Sequence, residues 1–302
     1  MEYRRSLGVS SARSMPRLAL LAALTLLAAC SRDDTPIAPE PPAPAPAPAP
    51  APQAPPAVEF VEEKPTKTAG PLPSVTAKAP TKNQLIPADK SADFEIKFDL
   101  KNWKLEPKGG GKAVHVILDN EKTRRIVDLK RPLKLGDFSG GKPLAEGQHL
   151  LAILPVHPNG ESVKPANRRS PIALVPFFVE KKTDPEWRDT DPLVLLNILA
   201  SNKVSAEGTL IDYYVVNQEL TKGKVVLHAA VSGPDLAKGE SISTWKPWRI
   251  KNARPGDHIA KIQLFHFVPD SFESGSAISV NLVSKPIPGK FTSVTREFVL
   301  DP

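Results

Sequence analysis

Apolar and charged residues alternate without a break through Phe94-Glu95-Ile96-Lys97-Phe98-Asp99-Leu100, the period of two that marks a strand with one face in a core and one in water. Short apolar runs bounded by Gly, Pro or Asn predict further strands at Ala113–Leu118, Gln148–Leu154 and Ile172–Val179. From Lys181 to Pro192 a polar stretch containing Asp and Pro breaks the pattern. It resumes at Leu193–Leu199, Leu210–Val216, Lys224–Val231, His258–Phe267, Ala277–Val283 and Ser293–Leu300. No part of this region sustains a helical period. Many short strands separated by turn signals predict an all-β chain with two antiparallel β-sandwiches in tandem, at 93–181 and 190–302.

The two halves repeat one another, and the histidines show it. His115 in Ala-Val-His-Val-Ile-Leu-Asp-Asn matches His228 in Val-Leu-His-Ala-Ala-Val-Ser-Gly. His149 follows Gly147-Gln148 as His258 follows Gly256-Asp257, and His157 and His266 each lie eight residues further on. The offsets are 113, 109 and 109, which a duplicated domain explains. A Gly-x-His-aliphatic strand after a Gly- or Pro-containing turn resembles a motif of secreted bacterial immunoglobulin-like domains. That resemblance implies two tandem immunoglobulin-like sandwiches and leaves activity open.

Ahead of the strands the pattern changes. Arg4, Arg5, Arg13 and Arg17 precede an apolar run from Leu18 to Ala29. Twelve residues rising about 1.5 Å each cannot cross a hydrocarbon core of about 30 Å, so residues 1–29 read as a secretory signal peptide. Met15 begins a compact signal of the same kind, which leaves the start at Met1 or Met15. The run ends Leu27-Ala28-Ala29-Cys30 and resembles the lipobox of bacterial lipoproteins. The resemblance implies that Cys30, the single cysteine, becomes the mature N-terminus and carries a covalent diacylglyceryl group and an N-acyl chain of the palmitate type, with no other cofactor. Ser31 after it implies the outer membrane, on the periplasmic side or at the cell surface. Of 34 prolines, eleven fall between Pro36 and Pro56 in a near Ala-Pro repeat. Such a segment favours extended polyproline II and reaches roughly 70 Å over 36–57. Residues 58–92 stay rich in Pro, Lys and Thr without a sustained period, so the whole of 30–92 reads as a lipidated cysteine followed by a disordered Pro-rich linker.

Charge adds little. Of the formal +7, residues 1–29 carry +3 and the rest +4, too weak and too dispersed for a nucleic-acid partner. One cysteine excludes a disulfide framework and a cysteine-based zinc site.

Candidate chemistry rests on few residues. His115, His149, His157, His228, His258 and His266 suit a metal only if they converge. His149 and His157 lie about 26 Å apart on a straight strand. The plainer expectation is a histidine at the rim of each core, bonded to a turn, with His157 the most exposed of the six. Gly136-Asp137-Phe138-Ser139-Gly140-Gly141-Lys142 has the spacing of a phosphate loop, but Pro143 replaces the Ser or Thr that would hold magnesium, so a flexible loop and no nucleotide are expected. Lys108-Gly109-Gly110-Gly111-Lys112 reads as a hairpin turn. In Trp245-Lys246-Pro247-Trp248-Arg249 the repeat aligns Trp248 with Leu133, a core position, and leaves Trp245 with Arg249 as a candidate contact surface for a sugar or protein. Arg124-Arg125 and Arg168-Arg169 read as solvated turns, or as contacts to an anionic lipid headgroup or cell-wall polymer. With no G-x-S-x-G and no H-E-x-x-H, an enzyme is not expected. The expected role is a membrane-anchored envelope lipoprotein that binds or scaffolds an envelope protein or cell-wall polymer through its sandwiches. The alternatives are histidine-mediated metal binding and a carbohydrate- or peptidoglycan-binding module.

Overall fold

A computed structural model describes residues 57–302 except 108–110, 166–169, 204, 206, 235, 275 and 276, with main chain alone at 269–274 and 277–282. The signal peptide, the lipobox with Cys30, nearly all of the Ala-Pro repeat, and Arg168-Arg169 lie outside the described residues.

The described chain opens with β1 (Glu59–Glu62). The first sandwich follows as β2 (Ser74–Ala79), β3 (Leu85–Ile86), the single helical turn α1 (Ala88–Ser91), β4 (Glu95–Lys101), β5 (Ala113–Leu118), β6 (Lys122–Ile126), β7 (Leu133–Lys134), a second turn α2 (Gly136–Ser139), β8 (Gly147–Val156) and β9 (Ala173–Val179). The second comprises β10 (Leu193–Asn197), β11 (Ser201–Lys203), β12 (Thr209–Val216), β13 (Val225–Gly233), β14 (Leu236–Ile242), β15 (Trp248–Lys251), β16 (Gly256–Ser274), β17 (Ala277–Pro286) and β18 (Ser293–Asp301). Among the described residues no helix is long and apolar enough to cross a membrane.

The two sandwiches share one topology. The small sheet runs β2-β4-β7 in the first and β10-β12-β15 in the second; the large sheet runs β3-β9-β8-β5-β6 and β11-β18-β16-β13-β14. In the lettering of immunoglobulin-like folds these are A-B-E and A′-G-F-C-C′. Among the described residues only the short A′ strands pair in parallel, β3 with β9 and β11 with β18. The chain is therefore all-β, with two tandem immunoglobulin-like sandwiches. The repeat read from histidine spacing maps onto it: His115 and His228 lie on the C strands, and His149 and His258 each lie third in an F strand. Leu133 pairs with Ile96 as Trp248 pairs with Ile211, so those two also occupy equivalent positions.

One expectation needs correction. Residues 58–92 are not linker. β2 pairs with β4 over its length, and β3 pairs with β9, so the first sandwich begins near Ser74. β1 does something else. It pairs antiparallel with β15, Glu59 opposite Lys251 through Glu62 opposite Trp248, and so fills the D position of the second sandwich although it precedes the first. β1 and β3, of four and two residues, are too short to display a period, and the Pro, Lys and Thr around β2 give it the look of a linker although Val75, Ala77 and Ala79 alternate with polar residues.

Each sandwich has its own core. Val114, Val116, Leu151, Ile153 and Phe177 fill the first; Val194, Leu196, Tyr213, Ile262 and Phe298 fill the second. A third apolar cluster joins them. Ile117, Leu150, Ala152 and Leu154, on the outer face of the first large sheet, pack against Leu193, Leu195, Tyr214, Trp187 and Phe291 of the second sandwich and its approach. All six residues of β5 are thus buried, because both faces of that strand are covered.

The loop expected at Gly136–Lys142 is partly the turn α2, seated by Phe138 in the first core and by a hydrogen bond from the Gly136 amide to the Ala92 carbonyl at 2.9 Å.

Candidate functional site: the seam between the sandwiches

The polar residues with the densest bonding gather at the edge of that third cluster. After β8 the chain of the first sandwich turns through His157–Lys164 and meets β10 and β12. Asp212 on β12 is fully buried, at 0% exposure. Its Oδ2 accepts from the Ser162 amide at 2.8 Å and from Asn197 Nδ2 at 2.7 Å, and its Oδ1 accepts from Lys164 Nζ. The ammonium also donates to the Tyr213 carbonyl at 2.7 Å and to Ser162 Oγ at 3.0 Å, so its three protons have three acceptors. A buried ion pair this fully bonded fixes geometry more than it adds stability, while removing one partner strands the other charge.

The network continues outward from Asn197. His115 Nδ1 donates to Asn197 Oδ1 at 2.5 Å, and His115 Nε2 accepts from Arg125 Nη1 at 3.4 Å. Burial, opposed by the Asn197 bond and reinforced by the Arg125 charge, lowers the His115 pKa to about 4, so the ring is neutral near pH 7. Arg125 Nη2 donates to the Gly111 carbonyl at 2.5 Å. Asp212, Asn197, His115 and Arg125 thus form one hydrogen-bonded chain from the buried ion pair to an open cleft.

Two further contacts close the seam. Asp119 and Asn120 both sit in the left-handed region, at φ 53° and 58°, in the turn between β5 and β6. Asn120 Nδ2 donates to the Val194 carbonyl at 2.6 Å and its Oδ1 accepts from the Leu196 amide at 3.2 Å, so one side chain pairs with the edge of β10. Arg296, from β18, donates to the Asn120 carbonyl at 2.6 Å and Thr123 Oγ1 at 3.0 Å; burial lowers its pKa to about 10. On the other side residues 57–68 act as a strap. Phe60 stacks on Trp248 with centroids 5.0 Å apart, Glu63 pairs with Arg249 Nε at 3.2 Å, and Thr66 gives its amide (2.9 Å) and hydroxyl (2.6 Å) to Glu161 Oε2. Glu161 Oε1 is buried without a partner, and burial, against the Thr66 bonds and with help from the nearby Asp212 charge, raises this carboxyl's pKa.

The six histidines do not converge. Among the described residues no group of three or more His, Cys, Asp or Glu side chains is placed to hold a metal ion. His149 and His258 take the rim position in matching ways. Each follows a glycine at positive φ (119° and 131°), turns Nε2 to the carbonyl four residues back at 2.8 and 2.9 Å, and stacks on a G-strand phenylalanine, Phe177 or Phe298. They differ at Nδ1. His149 Nδ1 meets Asp119 Oδ2 at 2.6 Å, while His258 Nδ1 is buried without a partner against Gly233. His157, expected to be the most exposed, is 4% exposed: the turn carrying it folds back into the seam, edge-on to Trp103 at 5.4 Å. His228 stacks on Phe265 at 4.1 Å on the outer sheet face, and His266 is half-buried on β16. Trp245 is no free platform either, since it meets Tyr214 edge-on at 5.5 Å and packs on two apolar clusters; Arg249 is bonded to Glu63 and to the Gly208 carbonyl. Ser162 beside Lys164 has the look of a nucleophile and base, but Ser162 is fully buried and the amine is committed to its acceptors.

Sequence reasoning missed Asp212, Lys164, Asn197, Asn120, Glu161 and Arg296. One signal was present: an acid, Asp212, in the run Leu-Ile-Asp-Tyr-Tyr-Val-Val, where a buried charge demands a partner.

No protein-family model matches the chain, and no curated protein matches it. Among solved structures it is similar to the fibronectin(III)-like modules of Clostridium thermocellum CbhA, at 16% identity and TM-score 0.23, over 75% of this chain and 93% of that one. It is also similar to a "Putative membrane anchored protein" from Corynebacterium diphtheriae, at 9% identity and TM-score 0.21, over 77% of this chain and 60% of that one. The assignment of an immunoglobulin-like fold rests on the strand order.

Proposed function

We propose that the chain is a lipid-tethered protein of the bacterial envelope, held through Cys30 and a Pro-rich spacer, whose tandem sandwiches form a rigid, non-catalytic binding or scaffold unit. The observation that supports this most is the seam. Its buried ion pair, its asparagine on the β10 edge and the β1 strap all hold one sandwich to the other, as a platform with fixed geometry requires. The sequence before the strap supplies the tether in this reading: an apolar run ending Leu-Ala-Ala-Cys, then an extended Ala-Pro spacer. Growth of producing cells with labelled palmitate tests the tether. Label in wild type and none in Cys30→Ser, with the variant washed from membranes without detergent, supports the reading; unlabelled wild-type protein overturns it. Crosslinking in intact cells then names the neighbour.

A further inference from the structure

At the mouth of the seam lies an open cleft of about 520 Å³. It is walled by the end of the Pro158–Gly160 turn, by Asn197–Lys203 and by the Gly208–Leu210 start of β12. Among the described residues three cations line it, Arg125, Lys203 and Arg249, against one carboxylate, Glu207. Arg249 is already paired with Glu63. Arg125 is different. Among the described residues it has no carboxylate within ion-pair distance, and its hydrogen bonds run to the Gly111 carbonyl and to the His115 ring, which leaves N–H donors of the fork unengaged.

The position of that guanidinium is set from below. Lys164 and the Ser162 amide hold Asp212; Asp212 holds the Asn197 amide; Asn197 Oδ1 holds the His115 Nδ1 proton, which presents the Nε2 lone pair to Arg125. Each link fixes the next, so Arg125 is oriented without a counter-ion. An unpaired cation half withdrawn from water is costly, and here burial already lowers its pKa. A planar fork of donors fits two oxygens of one anionic group better than a point charge does.

We propose that this cleft is an oxyanion receptor, in which the Arg125 fork takes a phosphate group and Lys203 supplies the second positive charge. The assignment uses only the folded chain and stands whether or not Cys30 is acylated. The phosphate comes from a lipid headgroup or from a free or polymer-borne ester, and the two sources are separable by experiment.

The test uses the full chain carrying Cys30→Ser, which has no thiol to acylate. Inorganic phosphate is titrated by calorimetry at low ionic strength, and vesicles of phosphatidylglycerol or of phosphatidylcholine are tested by co-sedimentation. Saturable phosphate binding is expected, weakened at least about tenfold by Arg125→Gln and only partly restored by Arg125→Lys. Lys261→Gln, which removes a charge on the outer face of β16, leaves it unchanged. Arg125-dependent binding to phosphatidylglycerol vesicles without binding of free phosphate assigns the headgroup; binding of free phosphate assigns the soluble or polymeric source. Absence of saturation by either probe, or equal weakening by Arg125→Gln and Lys261→Gln, overturns the proposal. Should Arg125→Gln misfold, Lys203→Gln carries the same test, with weakening by several-fold expected and no change overturning it.

Discussion

The large sheet of the first sandwich and the large sheet of the second share a strand order but not an environment. On the first, Ile117, Leu150, Ala152 and Leu154 face the neighbouring sandwich and are buried. On the second, the matching positions are Ala230, Ile259, Lys261 and Gln263; Ile259 is 42% exposed and the face is open among the described residues. One duplicated scaffold therefore carries a strand buried on both faces, β5, and its counterpart β13, where from Leu227 onward only alternate residues are buried. The segments after the F strands differ likewise. In the first sandwich it folds back through Glu161, Ser162 and Lys164 into the seam. In the second it continues as a β16–β17 hairpin, paired out to Ser274 opposite Ala277. Divergence after duplication thus fell on outer faces and connections, while the rim histidines and cores kept their pattern.

Paired substitutions break this comparison most sharply. Asp212 and Lys97 follow equivalent residues, Ile211 and Ile96, in the two B strands. Asp212→Ala leaves Lys164 stranded at the seam and is expected to cost about 3–5 kcal/mol in urea unfolding; Lys97→Ala, on an exposed face, stays within about 0.5 kcal/mol. Equal effects would show that the ion pair does not hold the seam. Next in size is Leu154→Ala, expected to cost about 2–5 kcal/mol, against Gln263→Ala at about 0.5 or less.

The histidines sharpen the same contrast through pH. His115 is held neutral in the fold, with a pKa of about 4 against an ordinary 6.5. Because the unfolded chain binds that proton more readily, the contribution is present above pH 6.5 and is lost as pH falls toward 4, on the order of 3 kcal/mol. A pH series of melting curves checks it: His115→Gln flattens the slope in that window. The smallest expected effect runs the other way. Burial opposes the charged form of His149, but the bond and charge of Asp119, with the Ala145 carbonyl, outweigh it and raise the pKa above 6.5. This contribution is complete below pH 6.5 and fades as pH rises through the folded value. Asp119→Asn abolishes the fade in the same series of melting curves.

Much of the fold is legible in the residues. Each strand expected from alternation or a bounded apolar run is present, whereas β2, β6 and β14, of five to seven largely polar or small residues, carry no apolar run to announce them. β3, β7 and β11 have two or three residues and display none, and β1 takes its meaning from a partner nearly two hundred positions away. The seam was hidden for a related reason. Gln148–Leu154 reads equally well as a strand in any closed core, and nothing local says that its second face meets Leu193 and Leu195. His157 misled because Pro155, Pro158 and Gly160 announce a turn, and a turn is ordinarily wet. Here it is folded inward by Glu161 and Thr66.

The β1 strap also dictates an order of assembly. Glu63 must wait for Arg249, 186 residues downstream, so the second sandwich is still missing an edge when the first has all its strands in hand. Closing so long a loop is slow. Until it closes, β15 offers bare amides and carbonyls to whatever extended segment is nearby, including Glu59–Glu62 of another molecule. Once it has closed, tension arriving from the N-terminal side is borne first by four residue pairs on the far sandwich, ahead of any strand of the near one.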